Sequence, residues 1–229
     1  MSVAKAVVLV SGGMDSCVTA AIAVGAHGPE RTAFLHASYG QRTEEKERAC
    51  FSAVADHFGV SLRLAARLDH MKTLGGSSLT DPAIPVPAAD LSRGGVPPTY
   101  VPFRNAQLLS IGVAWAEALR AGSVYIGAVE EDSSGYPDCR RSFFDAFETA
   151  VDAGTRPETA IRIVTPVIHM RKSEIVRRGI ELGAPFHLTW SCYQDNAAAC
   201  GNCDSCALRL RAFREAGVSD PLEYRPPER

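Results

Sequence analysis

Apolar and polar positions follow two different periods along the chain. Some short runs are mostly apolar and rich in valine, leucine, isoleucine and alanine, which is typical of buried β-strands. Between them, apolar residues recur every three or four positions, as they do in amphipathic helices. The predicted strands occupy residues 5–10, 31–38, 61–68, 123–129 and 161–167. The predicted helices occupy residues 15–24, 41–58, 105–119, 141–151 and 172–182.

This alternation predicts an α/β fold with a doubly wound, parallel, five-stranded sheet. We assign residues 1–185 to this domain and residues 186–229 to a small C-terminal metal-binding region. Residues 70–104 interrupt the pattern with six prolines and four glycines. Loops of this length usually bind ligands or are disordered, so we predict a substrate loop or lid, with a linker as the alternative. The charged, proline-rich stretch 220–229 predicts a surface tail.

Composition and charge narrow the possible functions. The 229 residues are 46% hydrophobic and carry a formal net charge of −2, without the basic surplus of proteins that bind long nucleic acids through phosphates. No apolar run approaches the roughly 20 residues that span a bilayer. The first apolar stretch is too short, and too soon followed by glycine and aspartate, for a signal peptide. We therefore expect a cytoplasmic protein that binds neither membranes nor nucleic acid directly.

The string SGGMDS, residues 11–16, stands where the first strand passes into the first helix. Ligands of parallel α/β sheets bind beyond the carboxyl ends of the strands, and glycines let the backbone approach them. The helix N-terminus attracts anions, Ser11 and Ser16 add hydroxyl donors, and Asp15 can position Mg²⁺ between phosphates. The loop lacks the lysine of G-x-x-x-x-G-K-[ST] and the spacing of G-x-G-x-x-G. A glycine turn that only packs strand against helix is the alternative.

Four of the seven cysteines crowd into residues 192–206 with the spacing C-x7-C-x2-C-x2-C. In cytoplasmic chains such a cluster favours metal over disulfides, and four thiolates close a structural, tetrahedral Zn²⁺ site. A labile disulfide, a redox relay and an iron–sulfur cluster are the alternatives. Arg209 or Arg211 would offset the thiolate charge, and we expect Cys17 and Cys50 to be buried apolar residues. The predicted metal ligands are Cys192, Cys200, Cys203 and Cys206.

Polar residues also gather after later predicted strands. The stretches 38–48, 97–110 and 130–144 would lie along the carboxyl edge of the sheet, beside residues 11–16, which we call the phosphate loop. Each of them alone is compatible with an ordinary surface turn. Three such stretches at one edge favour a substrate site.

The SGGMDS loop resembles that of the PP-loop ATP pyrophosphatases, and further motifs are similar to those of the 7-cyano-7-deazaguanine synthase family. These motifs are YGQR, SSLTD, SGYPDCR and CGNCDSCALR, and the resemblance covers nearly the whole chain. It implies a PP-loop fold, Mg²⁺ with ATP, and cleavage of ATP between the α and β phosphates. It also implies that 7-carboxy-7-deazaguanine and ammonia are converted to a nitrile through an adenylated carboxylate and an amide, and that two chains form a homodimer.

The implied reaction suggests roles for individual residues. Carboxylate and α-phosphate are both anionic, so positive charge must bring them together, and Arg104, Arg140 and Lys172 are candidates with Mg²⁺. A flat ring requires an aromatic face, and Asp138 would accept hydrogen bonds from ring N–H groups. The expected ATP-binding residues are Val10, Ser11, Gly12, Gly13, Met14, Asp15, Ser16 and Cys17. The expected catalytic residues are Asp15, Ser16, Arg104 and Lys172. The expected substrate-binding residues are Arg42, Tyr100, Phe103, Asn105, Tyr136, Asp138 and Arg140.

The chain departs from the family pattern at three positions. Phe103 stands where a small residue, usually glycine, is expected, Thr43 where histidine is common, and Arg171 where aspartate often stands. A bulky Phe103 would alter the substrate pocket rather than the ATP site. The alternative functions are a related PP-loop ligase acting on another acid or acceptor, a tRNA-modifying sulfurtransferase, and a nucleotide-sensing module without catalysis. Charge balance and cysteine spacing disfavour the sulfurtransferase.

Overall fold

Five parallel strands form the centre of the molecule, in the order β3-β2-β1-β4-β5. The computed structural model describes residues 4–130 and 135–226. Residues 131–134 of the predicted polar stretch 130–144, and 227–229 of the predicted tail, lie outside the described residues. Every neighbouring pair of strands is parallel, as the sequence predicts. The strands are β1 (Ala6–Leu9), β2 (Thr32–Ser38), β3 (Arg63–Arg67), β4 (Ser123–Ile126) and β5 (Arg162–Val164).

The helices agree with the sequence periodicity to within a few residues at their ends. The exceptions are a five-residue helix directly after β3, too short to show a period, and the helix Asp204–Ala216, which is not among the predicted helices. The α-helices are α1 (Met14–His27), α2 (Glu44–His57), α3 (His70–Leu74), α4 (Arg104–Leu119), α5 (Arg141–Gly154), α6 (Lys172–Glu181) and α7 (Asp204–Ala216). Short 3-10 turns occupy Pro29–Arg31, Pro137–Cys139 and Phe186–Leu188.

β1 lies in the middle of the sheet, and all four of its residues are buried. Because successive side chains of a strand point to opposite faces, β1 contributes to two different apolar cores. Val7 and Leu9 belong to the core that contains Leu109 of α4. Val8 belongs to the core that contains Phe51 of α2 and part of α1. Helices therefore cover both faces of the sheet, which confirms the doubly wound α/β fold.

The C-terminal region packs directly on the α/β domain. Phe213 of α7 contacts Phe186 edge to face, with ring centroids 5.2 Å apart. Both rings lie in a core with Val18 of α1 and Ile175 of α6. This packing holds the N-terminus of α6 beside the N-terminus of α1, at the carboxyl edge of the sheet.

The predicted surface tail is exposed at Pro221, Glu223, Arg225 and Pro226, but other side chains of residues 220–226 anchor it to the fold. Asp220 forms a buried ion pair with Arg209 of α7 through two bonds of 2.8 and 3.0 Å, and Tyr224 donates its hydroxyl hydrogen to the same carboxylate at 2.6 Å. Leu222 and Tyr224 also pack against the cysteine segment. Charges and prolines suggested exposure, but the fold supplies a buried partner for Asp220.

Residues 75–103 contain no helix or strand, yet they are anchored to the C-terminal region. The N–H of Ala89 donates to the carbonyl of Asn202 at 2.9 Å. The carboxylate of Asp204 accepts the N–H of Asp90 at 2.9 Å and the guanidinium of Arg93 at 3.0 Å. The long loop is therefore attached to the first turn of α7. Among the described helices, none is long and apolar enough to cross a membrane.

Gly179 allows α6 to approach α1 closely. A methyl group there would collide with the Phe186 ring and lie 2.8 Å from Val18 Cγ2. We expect Gly179→Ala to lower the free energy of unfolding by about 1–3 kcal/mol, measured by urea denaturation. The matched control is Gly25→Ala at an exposed position of α1, where nothing lies within 4 Å of the added methyl group. That variant should gain about 0.5–1 kcal/mol from helix propensity. Equal effects of the two variants would contradict this packing.

Candidate functional site

A cavity of about 270 Å³ lies at the carboxyl ends of β1, β2 and β4. This is the edge at which parallel α/β sheets bind ligands. Its walls come from the loop after β1, the N-termini of α4 and α6, and the segment around the first cysteine ligand. The predicted site residues that line it are Val10, Ser11, Gly13, Met14, Asp15, Ser16, Arg104, Asn105, Tyr136 and Lys172.

The loop at residues 11–16 is held by its own hydroxyl groups. The N–H of Gly13 donates to Ser11 Oγ at 3.2 Å, and the Ser11 hydroxyl donates to Ser16 Oγ at 3.1 Å. The Ser16 hydroxyl donates to the Gly13 carbonyl at 2.9 Å. Gly13 is the N-cap of α1, and no side chain caps that helix end. The free N–H groups of the first turn make this loop an anion site.

Gly12 lets three segments of the chain meet at one point. Its φ is +90°, and a Cβ atom there would lie 2.7 Å from the carbonyl oxygen of Glu47 in α2. The carbonyl of Gly12 accepts the N–H of Trp190 at 2.8 Å. The phosphate loop, α2 and the segment before the cysteines therefore fix one another through backbone contacts that exclude a side chain.

Lys172 at the start of α6 pairs with Asp15 in the first turn of α1. The lysine side chain is 14% exposed and the aspartate 22%, so the pair is shielded from bulk water. Lys172 contacts Oδ2 of Asp15, while Oδ1 is buried with no hydrogen-bond partner among the described residues. An unsatisfied carboxylate oxygen beside serine hydroxyls fits a hard cation such as Mg²⁺.

Arg104, the first residue of α4, brings a second cation to the cavity. It donates to the hydroxyl oxygen of Tyr39 at 2.9 Å and lies 5.5 Å from the centre of that ring. Burial raises the pKa of Tyr39 to about 12, so the phenol stays neutral. Arg104 Nε is buried without a hydrogen-bond partner among the described residues. A guanidinium with a neutral partner and an unused donor is suited to binding a carboxylate or phosphate.

Aromatic residues line the cavity together with the phosphate loop. Tyr136 lies there as predicted, and its hydroxyl donates to Thr99 Oγ1 at 2.9 Å. Trp190 and Tyr193 also line the cavity, which sequence reasoning missed. The only sequence feature that could have indicated these two residues is their position near Cys192. These rings provide flat apolar faces for a planar ligand.

Glu47 also lines the cavity and was not predicted. It accepts the Thr43 hydroxyl hydrogen at 2.7 Å and the Gln41 amide hydrogen at 3.0 Å. Burial raises the pKa of the Glu47 carboxyl, and the hydrogen bonds and Arg104 oppose this only in part. Glu47 lies in the predicted polar stretch 38–48. Nothing in the sequence distinguishes it from the other acidic residues of α2.

Some predicted site residues lie outside the lining of the cavity. Cys17 is fully buried in the core beneath the phosphate loop, and Arg140 is exposed before α5. Arg42 donates from Nε to the carbonyl of Ser78 at 2.7 Å and from Nη2 to that of Ile84 at 2.8 Å, so it anchors the long loop. The set is Gly12, Cys17, Arg42, Tyr100, Phe103, Asp138 and Arg140. Their direct contact with ligands stays a prediction.

Asp138 is buried and supports the N-terminus of α4. Its Oδ2 accepts the N–H of Asn105 at 2.9 Å, while the Asn105 side-chain amide donates to the Asp138 carbonyl at 2.8 Å. A carboxylate at the start of a helix satisfies a free N–H group and interacts favourably with the helix dipole. These contacts hold Arg104 and Asn105 at the cavity.

Phe103 caps α4 in the left-handed conformation, with φ +55°. Its side chain is 60% exposed and contacts Phe143 with ring centroids 6.0 Å apart. Its N–H donates to the Tyr100 hydroxyl at 2.9 Å. A backbone with positive φ explains why glycine suits this position. The Phe103 ring is not among the described residues that line the cavity, so this structure gives no support to the expected effect of its bulk on the pocket.

The four predicted metal ligands converge, with their Sγ atoms all within 4.8 Å of one another. This spacing is compatible with a tetrahedral shell whose Zn–S bonds are about 2.3 Å. The N–H groups of Gln194 and Cys200 donate to Cys192 Sγ at 3.4 Å each. Hydrogen bonds from Cys203 and Cys206 lower the pKa of the Cys192 thiol. Four sulfur donors fit a structural metal and leave no coordination position open.

Arg209 of α7 connects this cluster with the cavity. The ion pair with Asp220 balances its charge, and its guanidinium also donates to Thr189 Oγ1 at 2.7 Å. The side chain is 1% exposed and lines the cavity. Its direct partner is thus Asp220 rather than the thiolates.

Comparison with known proteins gives consistent matches over nearly the whole chain. The family model described as "Queuosine biosynthesis protein QueC" matches residues 5–217. A 7-cyano-7-deazaguanine synthase of Chlorobaculum parvum is 58% identical over 220 residues, which are 96% of either chain. That of Chlorobaculum tepidum is 57% identical over the same span. A crystal structure of a 4-thiouridine synthetase–RNA complex with bound ATP has a TM-score of 0.51 at 17% identity, covering 93% of this chain and 50% of that chain, and shows the fold alone.

The cysteine cluster predicts that metal content depends on each ligand. Elemental analysis of the purified protein should find about one zinc per chain, which Cys203→Ser should lose, because three thiolates hold the ion less tightly than four. The loss should also lower the melting temperature. Cys139→Ser, at a buried cysteine in a different core, should keep its zinc. Iron in place of zinc, or metal retained by Cys203→Ser, would contradict the assignment.

The left-handed cap at Phe103 can be tested with two substitutions that remove the same ring. Phe103→Gly should be more stable than Phe103→Ala by about 1 kcal/mol in urea denaturation, because only glycine adopts positive φ without strain. Both variants should keep wild-type Michaelis constants for the substrates. Equal stability would show that the backbone is unstrained, and a raised constant in both would show that the ring reaches the ligand.

Proposed function

The chain belongs to the family described as queuosine biosynthesis protein QueC, and from this premise we propose that it converts 7-carboxy-7-deazaguanine and ammonia to 7-cyano-7-deazaguanine. Two molecules of ATP would be split to AMP and pyrophosphate. The single observation that carries the proposal is one cavity lined by the phosphate loop, Lys172 and Arg104. Donors for a triphosphate and a cation for a carboxylate would there face one another.

The phosphate loop would bind the β and γ phosphates of ATP. Ser11, Ser16 and the N–H groups at the start of α1 supply donors there. Lys172 would neutralise the α phosphate as a carboxylate oxygen attacks it. Mg²⁺ bound with ATP would reduce the repulsion between the reacting anions, and Asp15 Oδ1 is the oxygen that would hold it.

Arg104 would orient the carboxylate of the deazaguanine. Its guanidinium donates a hydrogen bond to a neutral phenol and, among the described residues, to no carboxylate. Its positive charge is therefore available to an anionic substrate. Tyr136 and Tyr193 would cover the faces of the flat ring. Asp138, Asn105 and Arg42 would support these contacts by holding the start of α4 and the long loop.

The same cavity would carry out both dehydrations. In the first, the carboxylate oxygen attacks the α phosphorus, pyrophosphate leaves, and ammonia displaces AMP to form the amide. In the second, the amide oxygen attacks a second ATP, and loss of AMP leaves the nitrile. Because the substrate stays bound through both steps, the same residues hold the reacting atoms close together in each of them.

We also propose that the four cysteines hold one structural Zn²⁺. The metal would fix the position of Trp190, which lies two residues before Cys192. The N–H of Trp190 donates to the Gly12 carbonyl of the phosphate loop. The homodimer and the cytoplasmic location follow from the family resemblance and the sequence, and they stay predictions.

Product analysis tests the function. With 7-carboxy-7-deazaguanine, ammonium, Mg²⁺ and ATP, we expect the nitrile and two AMP per nitrile. Lys172→Met keeps the aliphatic stem without the charge and should reduce the rate by about 100-fold or more. It also controls for contaminating ATPases.

Release of ADP and phosphate in place of AMP would contradict the proposal. Activation of the acid with transfer to an acceptor other than ammonia would favour the related PP-loop ligase.

A further inference from the structure

The cavity contains a carboxylate that the reaction described above does not yet use. Among the described residues that line it, the carboxylates are those of Asp15 and Glu47. Asp15 is paired with Lys172. Glu47 is held by neutral donors, the hydroxyl of Thr43 and the amide of Gln41. Each carboxylate oxygen has two acceptor sites, so Glu47 can accept a further hydrogen.

Glu47 lines the same cavity as the phosphate loop and Arg104. Its own backbone carbonyl would be 2.7 Å from a Cβ at Gly12, the second residue of the phosphate loop. Trp190 binds the same glycine, and Arg104 acts electrostatically on the Glu47 carboxyl. The backbone of Glu47 is thus fixed at the phosphate loop, and its side chain shares the cavity with the cation assigned to the substrate carboxylate.

Ammonia chemistry needs a proton acceptor at this place. In neutral solution most ammonia is ammonium, which has no lone pair for attack. The proton removed from nitrogen must go to a base within reach of that nitrogen. Rings of Tyr39, Trp190 and Tyr193 line the cavity with Glu47, and aromatic faces next to a carboxylate favour a small cation.

We propose that Glu47 is the general base that takes protons from the substrate nitrogen in both steps of the proposed reaction. This inference rests on the proposed function and adds to it a catalytic residue. Burial, which raises the pKa of this carboxyl, makes it a stronger base than an exposed glutamate, consistent with that role.

In the first step, Glu47 takes one proton from ammonium, and the nitrogen lone pair forms a bond to the carboxyl carbon of the acyl adenylate. The carbon–oxygen bond to AMP then breaks, AMP leaves with that electron pair, and the amide nitrogen loses one further proton. Glu47 passes each proton to solvent before it accepts the next.

In the second step, the amide oxygen is adenylated and pyrophosphate leaves. Glu47 then takes a proton from the same nitrogen. The nitrogen electrons form the carbon–nitrogen multiple bond, the carbon–oxygen bond breaks, and AMP leaves. The second nitrogen proton is lost in the same way, and the nitrile remains. No oxidant or reductant is required.

Adenylation and nitrogen chemistry can be separated experimentally. Without ammonium, exchange of labelled pyrophosphate into ATP that depends on the carboxylate substrate reports the first adenylation alone. With ammonium, amide and nitrile report the later steps. For Glu47→Gln, which keeps the size of the side chain and one acceptor oxygen for the Gln41 amide, we expect exchange within about threefold of wild type and amide formation reduced about 100-fold or more. Conversion of added amide to nitrile should fall similarly.

Glu45→Gln is the matched control, because Glu45 is an exposed acid of the same helix. It should behave as wild type in both assays. Glu47→Asp, which keeps the carboxylate but shortens the side chain, should keep exchange and recover part of the amide formation.

Each contrary result has a distinct meaning. Wild-type amide formation by Glu47→Gln would overturn the base role. Exchange lost in both Glu47→Gln and Glu47→Asp, or restored in them by raised Mg²⁺, would show that Glu47 binds substrate or metal, and would also overturn it. Absence of carboxylate-dependent exchange in the wild-type enzyme would instead refute the proposed function.

Discussion

The close contact at Gly12 is the constraint on which the site depends. No side chain fits there, because the Glu47 carbonyl from α2 occupies the space, and the Gly12 carbonyl accepts the Trp190 N–H. Trp190 precedes the first cysteine ligand by two residues. The shape of the phosphate loop is therefore set by a strand, a helix and the metal-binding segment together, and the cysteine cluster supports the ATP site without reaching into it.

Charge in the cavity is arranged so that it remains available to ligands. Arg104 is held by the neutral phenol of Tyr39, and Glu47 by a hydroxyl and an amide. Neither has an oppositely charged hydrogen-bond partner among the described residues. By contrast, the charges of Asp15 and Lys172 meet each other at the helix tips. A site that must bring two anions together benefits from cations that are preorganised but not neutralised.

The long loop and the C-terminal region share their anchors. Asp204, between two cysteine ligands, holds the loop through Asp90 and Arg93. Arg42, after β2, binds carbonyl groups nearer its start. A loop without helix or strand can be ordered when its backbone polar groups find such partners. The loop, the metal ligands and the cavity wall thus form one connected unit.

The sequence by itself determined the alternation of strands and helices, the loop at residues 11–16 and the four cysteines that come together. Those features depend on local periodicity and on residues a few positions apart, such as Gly12 and Asp15 or Cys203 and Cys206. Only the tertiary structure decided that Glu47 and Trp190 join the cavity, that Asp138 supports a helix, and that Asp220 of the charged tail forms a buried ion pair. The reason is physical, because these roles depend on partners that are distant in the chain. The sequence around an acidic or aromatic residue does not show which distant residues will contact it.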